Sequence, residues 1–193
     1  MTSIDVVALD RARDRRSALC MVLDTRLKKL AKGVSAQQAA RAHARSLVPG
    51  ENLSDVEKTQ ADEFKATIEA MFLMAAVDGE VSREEVDQLG ASIQAIADMH
   101  AIEGMQLEPT LEELNGKLAR DGWNGRLEAV SQRILTDEGR AFAFRLAAGV
   151  AFIDDHVAHA EAAAIDALAG ALKLSTEESQ AILQEVQEDL FGA

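Results

Sequence analysis

Two short stretches of the chain gather side chains able to hold a metal ion. The first, AAVDGEVSREE from Ala75 to Glu85, offers Asp78, Glu80 and Glu85 around Gly79. The second, AFIDDHVAHAE from Ala151 to Glu161, offers Asp154, Asp155, His156, His159 and Glu161. Oxygen ligands of this kind suit hard divalent cations such as calcium or magnesium. His156 and His159 stand three residues apart, a spacing that puts both imidazoles on one side of a helix, where they could take a transition metal. Aligned on a calcium-binding EF-hand loop, Gly79 takes position six and Glu85 position twelve, but Met74 and Ala76 then occupy positions one and three and cannot ligate. The first corner is half a pattern, so a metal held there needs acids from the second. The competing reading is helix capping. Glu85 can reach back to Ser82 as a capping box, whereas Ala158 stands where Ser82 has its counterpart and leaves Glu161 without that partner.

Catalytic constellations are missing from the sequence. None of His43, His100, His156 or His159 has a Glu three residues before it, as di-iron carboxylate bundles require. There is no His-Glu-x-x-His pair, no Gly-x-x-x-x-Gly-Lys loop and no Gly-x-Ser-x-Gly elbow. A metal-dependent hydrolase built on Asp154, His156 and Glu161 is the one enzyme reading left open, and a non-enzymatic binding module or a plain helical scaffold is favoured over it.

The two corners belong to longer stretches that match each other. IEAMFLMAAVDGEVSREEVDQL, from Ile68, and FRLAAGVAFIDDHVAHAEAAAIDAL, from Phe144, align without a gap at an offset of 76 residues, which brings Asp78 onto Asp154, Glu85 onto Glu161 and Leu89 onto Ile165. The chain reads as internally duplicated. The motif AAVDGEVSREE, its Ala-rich lead-in and the echo AFIDDHVAHAE resemble the TerB-like tellurite-resistance family over roughly residues 54–190. The resemblance implies an all-helical fold in two related halves, acidic corners suspected of binding metal, and a place in bacterial stress responses, with no established reaction. The second corner departs from the family pattern, with Asp155 in place of glycine and His156 and His159 where Glu80 and Arg83 stand.

The positioning elements are written in helix-start signals. Ser or Thr followed three residues later by Glu or Gln occurs at Ser35/Gln38, Ser54/Glu57, Ser82/Glu85, Thr110/Glu113 and Ser175/Glu178, with a further cap at Thr136. With two prolines and abundant Ala, Leu, Glu and Gln, these predict an all-α bundle of about nine helices. The expected spans are 4–31, 35–48, 54–77, 83–101, 110–120, 127–135, a pair over 137–172, and 176–190. Asp121 to Gly125 reads as a turn sealed by Trp123, and Met71, Met74, Met99 and Met105 as core filler.

Charge divides the chain in two. Residues 1–50 carry 10 Lys and Arg against 4 Asp, and residues 51–193 carry 10 against 29 acids. We therefore expect a basic, amphipathic helical arm over 1–50, with a boundary at Pro49 to Leu53, and an acidic duplicated domain over 51–193. An acidic body repels nucleic acid and oxyanions, tellurite included, and favours cations or basic partners. The arm suits a protein groove or an acidic membrane surface. The lone Cys20, the absence of an apolar run of membrane-spanning length and the acidic N-terminus without a signal-like core point to the cytoplasm.

Overall fold

The computed structural model describes residues 30, 34–77, 89, 107–152 and 159–191, and within them the chain is all-helical. Six helices follow in order: α1 Val34–Ser46, α2 Asp55–Ala75, α3 Leu107–Arg133, α4 Asp137–Ala151, α5 His159–Ala171 and α6 Thr176–Phe191. The helices expected over 4–31 and 83–101 lie outside the described residues, Leu30 and Leu89 excepted, as do Cys20, Met99 and Met105.

Local chemistry fixes the helix ends. At Ser54 the hydroxyl accepts the Glu57 amide while the Glu57 carboxylate accepts the Ser54 amide at 2.8 Å, a closed capping box that starts α2. The same exchange between Ser175 and Glu178 starts α6. Thr136 caps α4 by accepting the Gly139 amide at 3.0 Å. Two expected boundaries move. Helix α3 begins at Leu107, three residues ahead of Thr110, because Pro109 falls in its first turn, where a missing N–H leaves no bond unmade. The helices expected over 110–120 and 127–135 run together as α3, broken at Gly122, whose φ of 71° and ψ of 166° lie in a region open to glycine.

Helix α2 is the centre of the fold. From Ala66 to Met74 every residue is buried, so its second half faces protein on all sides. It packs on α1, α3 and α4. Helix α4 is buried in the same manner through Ala143, Phe144, Leu146 and the small run Ala147 to Gly149, which lets the two backbones approach closely. Met71 and Met74 belong to this core, as expected.

Cross-links between helices give their directions. Asp62 and Glu69 of α2 meet Arg133 and Arg126 of α3, so rising numbers on one meet falling numbers on the other and the pair is antiparallel. Helix α1 is antiparallel to α2 by the same test, with Arg45 on Glu57 and His43 against Phe64. Gln60, Glu63 and Thr67 of α2 share one small cavity with Glu138, Gly139 and Phe142 of α4, and the buried halves of both helices follow C-terminally. Helices α2 and α4 therefore run parallel. They end alike: α2 at its C-cap Ala76, whose amide donates to the Phe72 carbonyl, and α4 at Phe152, whose amide donates to the Ala148 carbonyl. Helix α6 also runs parallel to α4, with Arg145 paired to Glu185 and Arg140 beside Ala181, and α5 returns between them.

The α5–α6 link is a Schellman turn, in which the Leu174 amide donates to the Ala169 carbonyl at 3.0 Å. Its pivot, Lys173, has a φ of 60°, a position where glycine is the usual choice. The side chain is exposed. Lys173→Gly should stabilise the protein by about 0.5–1 kcal/mol, read as a raised urea midpoint at unchanged slope. A lowered midpoint would show that the lysine makes a contact worth more than the strain it carries.

Candidate functional site

Of the eight residues expected to ligate a cation, Asp78, Glu80, Glu85, Asp154, Asp155 and His156 lie outside the described residues. His159 opens α5, and Glu161 lies half-buried in the first turn of that helix. Among the described residues no three His, Cys, Asp or Glu side chains cluster so as to hold a metal ion. What the structure describes is the approach to both corners: the last turns of α2 and α4, their caps, and the polar groups that hold them.

Those polar groups sit on α2, inside the core. The Glu69 carboxylate is 1% exposed and is held by two guanidinium groups of α3, with Arg126 Nε at 2.7 Å and Arg133 at 3.2 Å. Arg126 also donates to Asp121 at 2.9 Å, Arg133 to Asp62 at 2.7 Å, and Asp121 pairs in turn with Arg120, so the buried carboxylate lies within a six-residue ion network. Hydrogen bonds from Arg120 and Arg126 hold the Asp121 carboxyl below the usual aspartate range. Arg126 and Arg133 lie seven residues apart, two helical turns, and so project from one face of α3.

Glu63 does the equivalent work against α4. One carboxylate oxygen accepts the Leu135 and Thr136 amides at 2.8 and 2.7 Å, and the other accepts the Thr136 hydroxyl at 2.9 Å. A carboxylate placed on the amides that open a helix meets both unpaired donors and the positive end of the helix dipole. The approach is so close that a Cβ on Gly139 would lie 2.9 Å from the Glu63 carboxylate, which accounts for glycine there. The cavity beside it, about 30 Å³ and lined by Gln60, Glu63, Thr67 and Glu138 among others, has room for a water molecule.

Trp123 fixes the end of α2. As expected it packs on the core, and its indole N–H donates to the Leu73 carbonyl at 2.9 Å. That carbonyl is one of the last four of α2, which have no partner within the helix. Gly122 turns the chain just ahead of the indole, so the break in α3 and the termination of α2 three residues before Asp78 are one arrangement.

Sequence reasoning passed over Glu63, Glu69, Arg126, Arg133 and His43. The signal for Glu69 was present: a lone acid inside IEAMFLM occupies a position that an apolar helix would bury, and two arginines seven apart supply the answering face. Chemically the network offers no vacant ligand set, since each buried carboxylate is spent on helix joining. It locks α3 onto α2 and seats the start of α4.

Two predictions separate buried from exposed members. Glu69→Leu should cost about 3–5 kcal/mol in urea unfolding, because it strands two partly buried guanidinium groups. Asp62→Asn, at the exposed end of the same network, should change stability by no more than about 1 kcal/mol. Equal effects would mean that the network is solvated throughout. Trp123→Phe, which keeps the ring but removes the donor, should cost about 1 kcal/mol and speed amide exchange at the last turn of α2 before it does so elsewhere. Unchanged exchange there would show that the indole bond does not terminate the helix.

No family model, curated protein or solved structure matches the chain.

Proposed function

We propose that the protein is a non-enzymatic binding module of TerB-like type, serving a stress response, whose two acidic corners pool their side chains around a divalent cation of the calcium or magnesium kind. The ligands would come from Asp78, Glu80 and Glu85 on one side and Asp154, Asp155, His156, His159 and Glu161 on the other. The observation that carries this reading is the register of α2 and α4. They run parallel, touch at Glu63 and Gly139, and end at Ala76 and Phe152, so the contact and the caps both fall 76 residues apart. Leu89 and Ile165, matched by the same offset, are both buried. A duplication that stacks its halves side by side would deliver both corners to one end of the bundle, which the half-pattern of the first corner requires. The basic residues ahead of the bundle would then dock to a protein partner or a membrane surface.

One observation favours the scaffold reading instead. Both Ser-x-x-Glu boxes in α2 and α6 close fully, so Glu85 has a precedent for being spent on Ser82. Ala158 stands where Ser82 does, so a Ser-x-x-Glu box is not open to Glu161, and the second corner is the better test of the capping reading.

The experiment is thermal unfolding of metal-stripped protein with calcium, magnesium, manganese and zinc added singly at fixed ionic strength. A cation at 100 times its dissociation constant should stabilise the native state by about 2.7 kcal/mol. Asp78→Asn and, separately, Asp154→Asn with Glu161→Gln should each abolish the shift if the corners share the ion. A shift lost in only one of them would assign the ion to a single corner. No shift with any cation would leave the acids as caps and the protein as a scaffold.

A further inference from the structure

Helix α1 lies at the margin of the bundle and packs principally on α2. Ala40, Ala42 and His43 form its buried face. The His43 ring stands 5.5 Å from that of Phe64, tilted by 39°, and is hydrogen-bonded to the Ala61 backbone. Near the loop, Arg45 ties α1 to Glu57 and, at 2.9 Å, to Glu51. The attachment thus has one ionic tie at its exposed end and one titratable group within its apolar face.

The surroundings of that imidazole oppose a proton. His43 is 7% exposed. The charged groups facing it are Lys65 and Asp62 of α2 and Arg133 of α3, and Asp62 is already taken by Arg133 at 2.7 Å. A protonated ring would meet two cations and a spent carboxylate with little water to hydrate it. Burial first, and Lys65 second, hold its pKa down to about 4. At the Arg45 tie, the Ser54 amide and hydroxyl hold Glu57 below the usual glutamate range.

We propose that α1 is an acid-released clasp: protonation of His43 lifts α1 from α2 and uncovers the Ala61 and Phe64 stripe while the α2–α4 core remains folded. The fold separates the two events. Helix α1 has one main neighbour, whereas α2 and α4 are joined by Glu63, by apolar packing and, through α3, by Glu69. The direction of the linkage follows from the lowered pKa. Neutral His43 favours docking fully above the value of a solvated histidine, and that preference is lost as pH falls towards about 4. Between pH 7.5 and 5 the docking equilibrium should weaken roughly 30-fold. The inference is independent of the acidic corners.

Hydrogen exchange of the full chain, followed by mass spectrometry at pH 7.5 and 5 with times matched for intrinsic exchange, tests it. Peptides from α1 should lose protection roughly 30-fold on acidification, and those from α4 should not. In His43→Gln, which keeps a neutral donor for the Ala61 carbonyl, α1 should keep its protection at pH 5. The proposal is overturned if wild-type α1 stays protected at pH 5, if α4 opens in step with α1, or if His43→Gln releases α1 as the parent does. Should that variant not fold, the wild-type His43 titration followed by NMR decides: a midpoint below about 5 supports the clasp, and one near 6.5 sinks it.

Discussion

A helix buried on every side cannot send its polar groups to water, and α2 carries two carboxylates into that position. Glu69 is neutralised by Arg126 and Arg133, and Glu63 by the amides that open α4. An uncompensated buried charge costs several kcal/mol, so each carboxylate dictates where its neighbour sits. Glu69 fixes the register of α3 on α2, and Glu63 fixes the height of α4. Apolar packing is non-directional and does not by itself single out one register. The ion network does, since a Glu69 slipped by one turn would no longer be held by both Arg126 and Arg133.

This division of labour explains what could be read in advance. Helix starts depend on a few neighbouring residues, and the boxes at Ser54 and Ser175 and the cap at Thr136 were legible because all their partners lie within three positions. The joining of helices was not. Arg126 and Glu69 are 57 residues apart, and Leu135 and Glu63 are 72 apart, so nothing local pairs them. Thr110 misled for a related reason. It carries a valid local cap signal, but Pro109 ahead of it is compatible with a first turn, and the helix starts earlier. For the candidate site, the repeat matched the two corners at an offset of 76 and the caps Ala76 and Phe152 stand at the same offset, whereas the side-chain arrangement at the corners depends on residues beyond those described. The buried His43 gave no signal beyond lying on the Ala face of α1, a register shared by many solvated histidines.

Charge inside and charge outside are linked. Among the described residues of 51–193, seven Lys and Arg are held in ion pairs within the chain: Lys58, Lys117, Arg120, Arg126, Arg133, Arg140 and Arg145. The network that locks α2 takes two of them into the partly buried seam with α3. With 29 acids against 10 Lys and Arg in the same span, the body carries a strongly negative net charge and the field that goes with it. Such a field raises the local concentration of any cation or basic segment, and salt screens it within about 10 Å.

Attraction of that kind does not select. A diffuse negative surface draws sodium, magnesium and lysine-rich chains alike, and discrimination comes only where ligands are held at fixed distances. Among the described elements, the ends of α2 and α4 are better fixed than the exposed faces of α6, because their last turns are buried and their caps are made. A side chain on a long exposed helix loses rotamer freedom on binding and weakens the gain accordingly. One that leaves a fixed helix end loses less. Specificity in so acidic a chain therefore depends on how firmly packing, caps and the Trp123 bond hold its helix ends, more than on the number of acids on its surface.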